Sequence, residues 1–159
     1  MIPKRKIITQ DQFDLAYQQV QNTQSIVEAI VVGLLTIEEQ INRYLNKKVL
    51  RPQFLWQGTN LSYEKKLRFA QSLGFIKNSK QNYWEDLILY YEKIGNLRNK
   101  FAHNLNYQLS QADLHLLQKI NETFQFDNKP KFPKTYIEEV EYTKYAMSIL
   151  MSFAAMFAN

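Results

Sequence analysis

Residues 97–104 read LRNKFAHN, which brings Arg98, Asn99 and His103 into one short segment. Histidine titrates near neutrality and can transfer protons. Arginine stays charged and forks onto phosphate oxygens. An asparagine beside them can orient either one or hold a phosphate. Together these types suit cleavage of an RNA phosphodiester by its own 2′-OH. That reaction needs a group to take the hydroxyl proton, a group to protonate the leaving 5′-oxygen, and positive charge at the crowded phosphate. It can proceed without a metal or cofactor. One histidine per chain does not easily act as both acid and base, so a two-fold dimer with two Arg/His pairs face to face would complete the site. An Arg and a His near a helix C-terminus also interact favourably with the last carbonyls, so spacing alone leaves a purely structural role open.

The segment has to sit on a helix, and the helix sets what can meet. Glu92, Asn96, Asn99 and His103 are spaced four, three and four apart and fall within about 60° of one another, one polar stripe. Arg98 lies about 140° from His103 on the same ideal helix. The two converge only if the helix loosens at His103, or if each faces a partner chain. Glu92 is a candidate to fix Arg98 of that partner; a plain solvated face is the alternative. Glu38 interrupts the apolar stripe of an earlier helix, where an unpaired carboxylate is costly. It can orient Arg98 or His103, or it can reach solvent from the helix edge; Glu28 and Glu39 are less centrally placed. Lys93 and Lys100 near the motif, and Lys65, Lys66 and Arg68 on a short helix, can line an RNA backbone or simply form solvated faces. Tyr90, Tyr91, Phe101 and Tyr107 can stack on unpaired bases. At helical spacing, core or dimer interface is the commoner use of such aromatics. His115 reads as a helix-surface residue without a role.

Helical periodicity runs through almost the whole chain. Thr9 and Gln12 form a capping box that opens an apolar pattern over residues 10–48, with a break expected near Asn22–Ser25 or at Gly33. Residues 49–60 read as a loop around Pro52 and Gly58. Ser62 opens a short helix that Gly74 ends. Residues 77–81 read as polar linker. Asn82 and Glu85 open the helix of the motif, which stops about Asn104 in a left-handed helix end. Ser110 with Asp113 opens the next helix, to about Phe124, and Thr135 with Glu138 the last. The expected fold is all-α, one domain over residues 1–159, an antiparallel bundle of five or six helices.

The totals agree with that reading. The chain has 159 residues, 45% of them hydrophobic and only 4 Gly and 4 Pro, enough apolar material for a single core. The formal charge of +5 mildly favours an anionic partner. The absence of cysteine excludes thiolate metal sites, and two histidines, His103 and His115, argue against a multi-His site within one chain. The basic start MIPKRKIITQ is followed by DQFD and not by an apolar run, so no secretion signal is read. The apolar run 146–158 is shorter than the roughly 20 residues a membrane span needs. A buried terminal helix and a cytoplasmic protein are expected. A helix-turn-helix DNA reader finds no support in the pattern.

LRNKFAHN is similar to the signature of the HEPN superfamily: an arginine followed by a polar residue, then a histidine after a short spacer. Arg98, Asn99 and His103 match with four residues between Arg and His. LSYEKKLRFAQSLGFI, WEDLILYYEKIGNLRNKFAHN and LNYQLSQADL resemble the branch that includes mannitol operon repressor-like proteins, over roughly residues 61–114. The resemblance implies an all-α bundle, usually homodimeric, with the motif at the dimer cleft. Many such proteins are metal-independent endoribonucleases acting as toxins or in phage defence. Arg98 and His103 would then be catalytic and Asn99 supporting, with RNA as ligand and an antitoxin or regulatory protein as a further partner. The mannitol repressor-like branch instead implies a non-catalytic regulator or interaction module. Where toxins of HEPN–nucleotidyltransferase pairs often carry a Tyr two residues after the His, this chain has Leu105, and the nearest tyrosine is Tyr107.

Overall fold

The computed structural model describes residues 9–57, 60–76, 83–123 and 130–159, apart from the side chains at 83–85. Among these all regular secondary structure is helical: α1 (Gln10–Asn22), α2 (Ile26–Lys48), α3 (Pro52–Leu55), α4 (Tyr63–Ser72), α5 (Tyr83–His103), α6 (Gln111–Thr123) and α7 (Tyr136–Ala158). The expected all-α bundle is what folds. It has one more helix than expected, because residues 49–60 contain α3. Pro52 occupies its first turn, where a missing N–H costs nothing and a fixed φ helps.

The sequence's capping signals do their work locally. Thr9 and Gln12 make a reciprocal capping box on α1. The long apolar pattern breaks at residues 23–25, not at Gly33. Thr23 holds the corner by accepting from the Ser25 N–H at 3.1 Å and donating to Glu28 Oε2 at 2.7 Å. Ser25 caps the next helix by accepting from the Glu28 N–H. Gly33 lies inside α2 for a packing reason, since a Cβ there would stand 2.6 Å from Met147 Cε. Gly74 ends α4 with φ 97. Its N–H bonds to Gln71 O and the Phe75 N–H to Ala70 O, the two bonds of a Schellman end. The Asn82–Glu85 start of α5 lies outside the described residues.

α2 and α7 form the most extensive helix–helix contact. They run parallel: Gly33 meets Met147, and further along in the same direction Lys47 Nζ donates to Ala158 O at 3.1 Å. Sequence neighbours α1/α2 and α5/α6 are antiparallel, as short connections require. The parallel pair is separated in sequence by the rest of the bundle, and that separation makes it feasible. α5 lies against this pair, with the Tyr91 hydroxyl donating to Leu150 O at 2.6 Å. Leu34, Ile37, Ile41 and Leu45 of α2, Leu87, Ile94 and Leu97 of α5, and Met147, Leu150 and Ala154 of α7 are buried in one core. The apolar C-terminal run is therefore a core helix, and no helix of the described residues is long and apolar enough to cross a membrane.

Candidate functional site

α5 carries the motif, and its inner and outer faces separate the motif's members. Leu97 and Phe101 are buried, Arg98 is half-buried at the edge of the core, and Asn96, Asn99 and His103 are exposed. Glu92, on the same stripe, is half-buried. The helix does not loosen at His103. The Asn104 N–H still bonds to Lys100 O at 3.0 Å, one residue past the end of α5. Asn104 takes no left-handed conformation either; positive φ among the described residues falls on Gly74 and Ile76. Its side chain closes the turn instead, Oδ1 accepting from the Asn106 N–H at 3.0 Å. Within one chain, Arg98 and His103 therefore point to different sides.

Arg98 sits in a built environment. Its guanidinium lies over the Tyr63 ring, 5.7 Å from the centroid, and Nη1 stands 4.0 Å from Glu38 Oε2. The Tyr63 hydroxyl donates to the Tyr91 carbonyl at 3.0 Å, which pins the ring to α5. Gly95, three residues before Arg98, makes room for it: a Cβ there would be 2.9 Å from Cδ1 and Cε1 of the ring. Burial pushes the Tyr63 phenol well up in pKa. The Arg98 charge opposes that rise, and Glu38 and Glu92 add to it. Tyr63 is thus a neutral donor and a flat platform for the guanidinium. Of the two readings open for Glu38, pairing is what is found. It accepts from Lys66 Nζ at 2.8 Å through Oε1 and faces Arg98 through Oε2.

Lys66 does not line an open path for RNA. It is 2% exposed, held between Glu38 and the Trp56 ring, 5.6 Å from that ring's centroid. Trp56 in turn donates Nε1–H to Asn46 Oδ1 at 2.8 Å. Lys65 and Arg68, on the outer face of α4, are exposed, and Arg68 pairs with Glu64 at 2.7 Å. Asn42, one turn after Glu38 on α2, is fully buried, and neither of its side-chain amide atoms is hydrogen-bonded.

Lys93 and Lys100 open onto a groove of about 800 Å³ between α5 and α6, with Asn96, His115 and Lys119 also on its walls. Lys93 is exposed there. Lys100 is committed to Asp113, at 3.1 Å, and lies over the Tyr107 ring. Asp113 also accepts from the Tyr107 hydroxyl and, at 2.9 Å, from the Ser110 N–H, while Ser110 Oγ caps its N–H in return. Burial alone would raise the Asp113 carboxyl, but the Tyr107, Ser110 and Lys100 hydrogen bonds outweigh it and hold it below its ordinary value. The Asp113 hydrogen bond raises the Lys100 ammonium. Of the aromatics, Tyr90, Tyr91 and Phe101 are core residues, and Tyr107 packs edge-on against Phe101 at 5.2 Å. None of the four presents an open ring for a base. His115 is exposed and rests against Phe132.

Sequence reasoning did not single out Tyr63, Gly95 or Trp56. Gly95 left a signal, because a glycine inside a strong helix usually has a packing reason. Tyr63 and Trp56 left none, since their roles depend on α3 and α4 folding back onto α2 and α5. Compared with protein-family models, curated proteins and solved structures, the chain matches none at a significant level.

Proposed function

We propose that this chain is a HEPN-type, metal-independent endoribonuclease that acts as a cytoplasmic homodimer in a toxin or antiviral defence role. It cuts RNA through the 2′-OH. Arg98 steadies the phosphate in the transition state, His103 transfers protons and Asn99 positions the scissile group. The observation that carries this reading is the state of Arg98. Its guanidinium is braced from below by a buried phenol ring and flanked by Glu38, yet it remains 30% exposed, with no hydrogen bond from it among the described residues. A guanidinium that is part-exposed and makes no hydrogen bond within the described residues is free to fork onto a phosphate. His103 lies exposed on a different side of the same helix, so two chains face to face complete the chemistry.

The test is incubation of mixed RNA with the purified protein in EDTA. Products with 2′,3′-cyclic phosphate ends are expected, and they vanish with Arg98→Ala and with His103→Ala. Because two histidines serve one site, co-refolding wild type with an equal amount of His103→Ala should leave about a quarter of the activity, against about half if each chain works alone. RNA left intact at high protein concentration would sink the enzyme. It would favour a non-catalytic regulator or interaction module, a reading supported by the exposed Leu35 and Leu105.

A further inference from the structure

Glu38 is one carboxylate facing two cations, and the two are not held alike. Lys66 Nζ is at 2.8 Å, a hydrogen-bonded pair in which the lysine is almost wholly buried. Arg98 Nη1 is at 4.0 Å, the outer edge of ion pairing, and it makes no hydrogen bond to Glu38. Coulomb attraction weakens with distance and strengthens with dryness. Lys66 is the closer and the drier partner, so it takes up most of the Glu38 charge. Arg98 is therefore the less neutralised of the two cations that face Glu38.

Lys66 cannot easily leave this post. It comes from α4, its stem is packed in the core, and its ammonium sits over Trp56, which is itself tied to Asn46 of α2. Arg98 is held more loosely, its guanidinium carbon over the Tyr63 ring at 5.7 Å from the centroid. A carboxylate and a guanidinium left to themselves close a bidentate pair, and that would occupy the same N–H edge a phosphate needs. We propose that Lys66 is a positioning residue for Arg98. By holding Glu38, it keeps that bidentate pair from closing and leaves the Arg98 N–H fork open to the phosphodiester of a single-stranded RNA. This rests on the proposed ribonuclease reading for the identity of the ligand, but the charge relation between Lys66, Glu38 and Arg98 does not.

The experiment uses a fluorescent 2′-O-methyl RNA octamer, which binds without being cut, titrated by anisotropy at fixed low salt. Arg98→Ala gives the floor. Lys66→Met is expected to weaken binding about tenfold, because Glu38 turns fully onto Arg98 and one phosphate contact is lost. Removing the released carboxylate as well, in Lys66→Met/Glu38→Gln, is expected to restore binding to within about threefold of wild type. Affinities are compared at equal folded fraction, read by circular dichroism. A role confined to stability would also be relieved in the double variant, but it predicts unchanged binding per folded molecule in the single one. Should Lys66→Met not fold, Lys66→Gln serves in its place and in the double variant, with a loss of about fivefold expected because it keeps a donor to Glu38 but no charge. The Arg98 Nε–Hε resonance, assigned by its loss in Arg98→Ala, gives a readout free of RNA. It should move in the single variant and return in the double. Binding unchanged in a folded single variant, or a double no better than the single, overturns the proposal. If wild type binds no better than Arg98→Ala, the RNA reading has failed. The resonance then decides alone: shifted and restored, Lys66 controls Arg98; unmoved, it does not.

Discussion

Gly95→Ala tests the platform beneath Arg98 most directly. The new Cβ would lie 2.9 Å from both Cδ1 and Cε1 of Tyr63, at least about 0.5 Å inside ordinary carbon contact. The ring is a poor candidate to yield, being 6% exposed and pinned by its hydroxyl to Tyr91 O. On an exposed helix the change would stabilise by about 1 kcal/mol. Here overpacking costs about 1–3 kcal/mol, and stretching the Tyr63 hydrogen bond adds about 1 kcal/mol. The net expectation is destabilisation by about 1–3 kcal/mol, read by urea unfolding followed by circular dichroism. Arg98 moves with the ring, and a misplacement of about 1 Å costs on the order of a hundredfold in rate. RNA cleavage should therefore fall by more than the folded fraction does. Repeating the substitution in a Tyr63→Ala background isolates the clash, because Gly95→Ala should then stabilise by about 0.5–1 kcal/mol. If Gly95→Ala has the same effect in both backgrounds, the ring is not held against α5 and the account of the Arg98 platform is wrong.

Two further substitutions probe the frame. Asp113→Asn removes the charge that gathers Lys100, Tyr107 and the Ser110 N–H and should cost about 1–3 kcal/mol in chemical denaturation at neutral pH. Because the folded Asp113 carboxyl lies below the 3.8 of an unperturbed group, its contribution is full above that value and fades as pH falls through and beneath it. Wild type should thus lose stability on acidification below about pH 4, and Asp113→Asn should lose less over the same range. Gly33→Ala would drive a Cβ to 2.6 Å from Met147 Cε and 3.3 Å from Met147 Cβ. Met147 Cε is the movable end of a flexible side chain and can swing aside. Overpacking of about 1 kcal/mol is therefore set against about 1 kcal/mol of helix propensity gained. The thermal midpoint should change little, and the substitution should become stabilising in a Met147→Ala background.

The helices themselves were legible. Thr9, Ser62, Ser110 and Thr135 each act as N-caps as expected, because a hydroxyl satisfying an orphan N–H is a matter of a few adjacent residues, while the Ser25 cap shows only in the structure. The apolar periodicity named the core face for a similar reason. α3 was missed because four residues carry no periodic signal. The helix of the motif ends at Asn104 as expected, but without the left-handed conformation, because asparagine can close a turn with its side chain as readily as with its backbone.

By itself, then, the sequence determined an all-α chain, its cap positions, and the geometric fact that Asn99 and His103 share a face which Arg98 does not. Each follows from residue types at fixed spacing along one helix. Which charges meet was decided only in three dimensions. Glu38, Lys66 and Arg98 come from three different helices, and Tyr63 reaches Gly95 only because α4 folds against α5. No spacing rule joins residues 38, 66 and 98, since their distances are set by how the helices pack and not by the chain between them. That packing sets the Arg98 guanidinium over Tyr63 and beside Glu38, and leaves His103 exposed on another side of the helix.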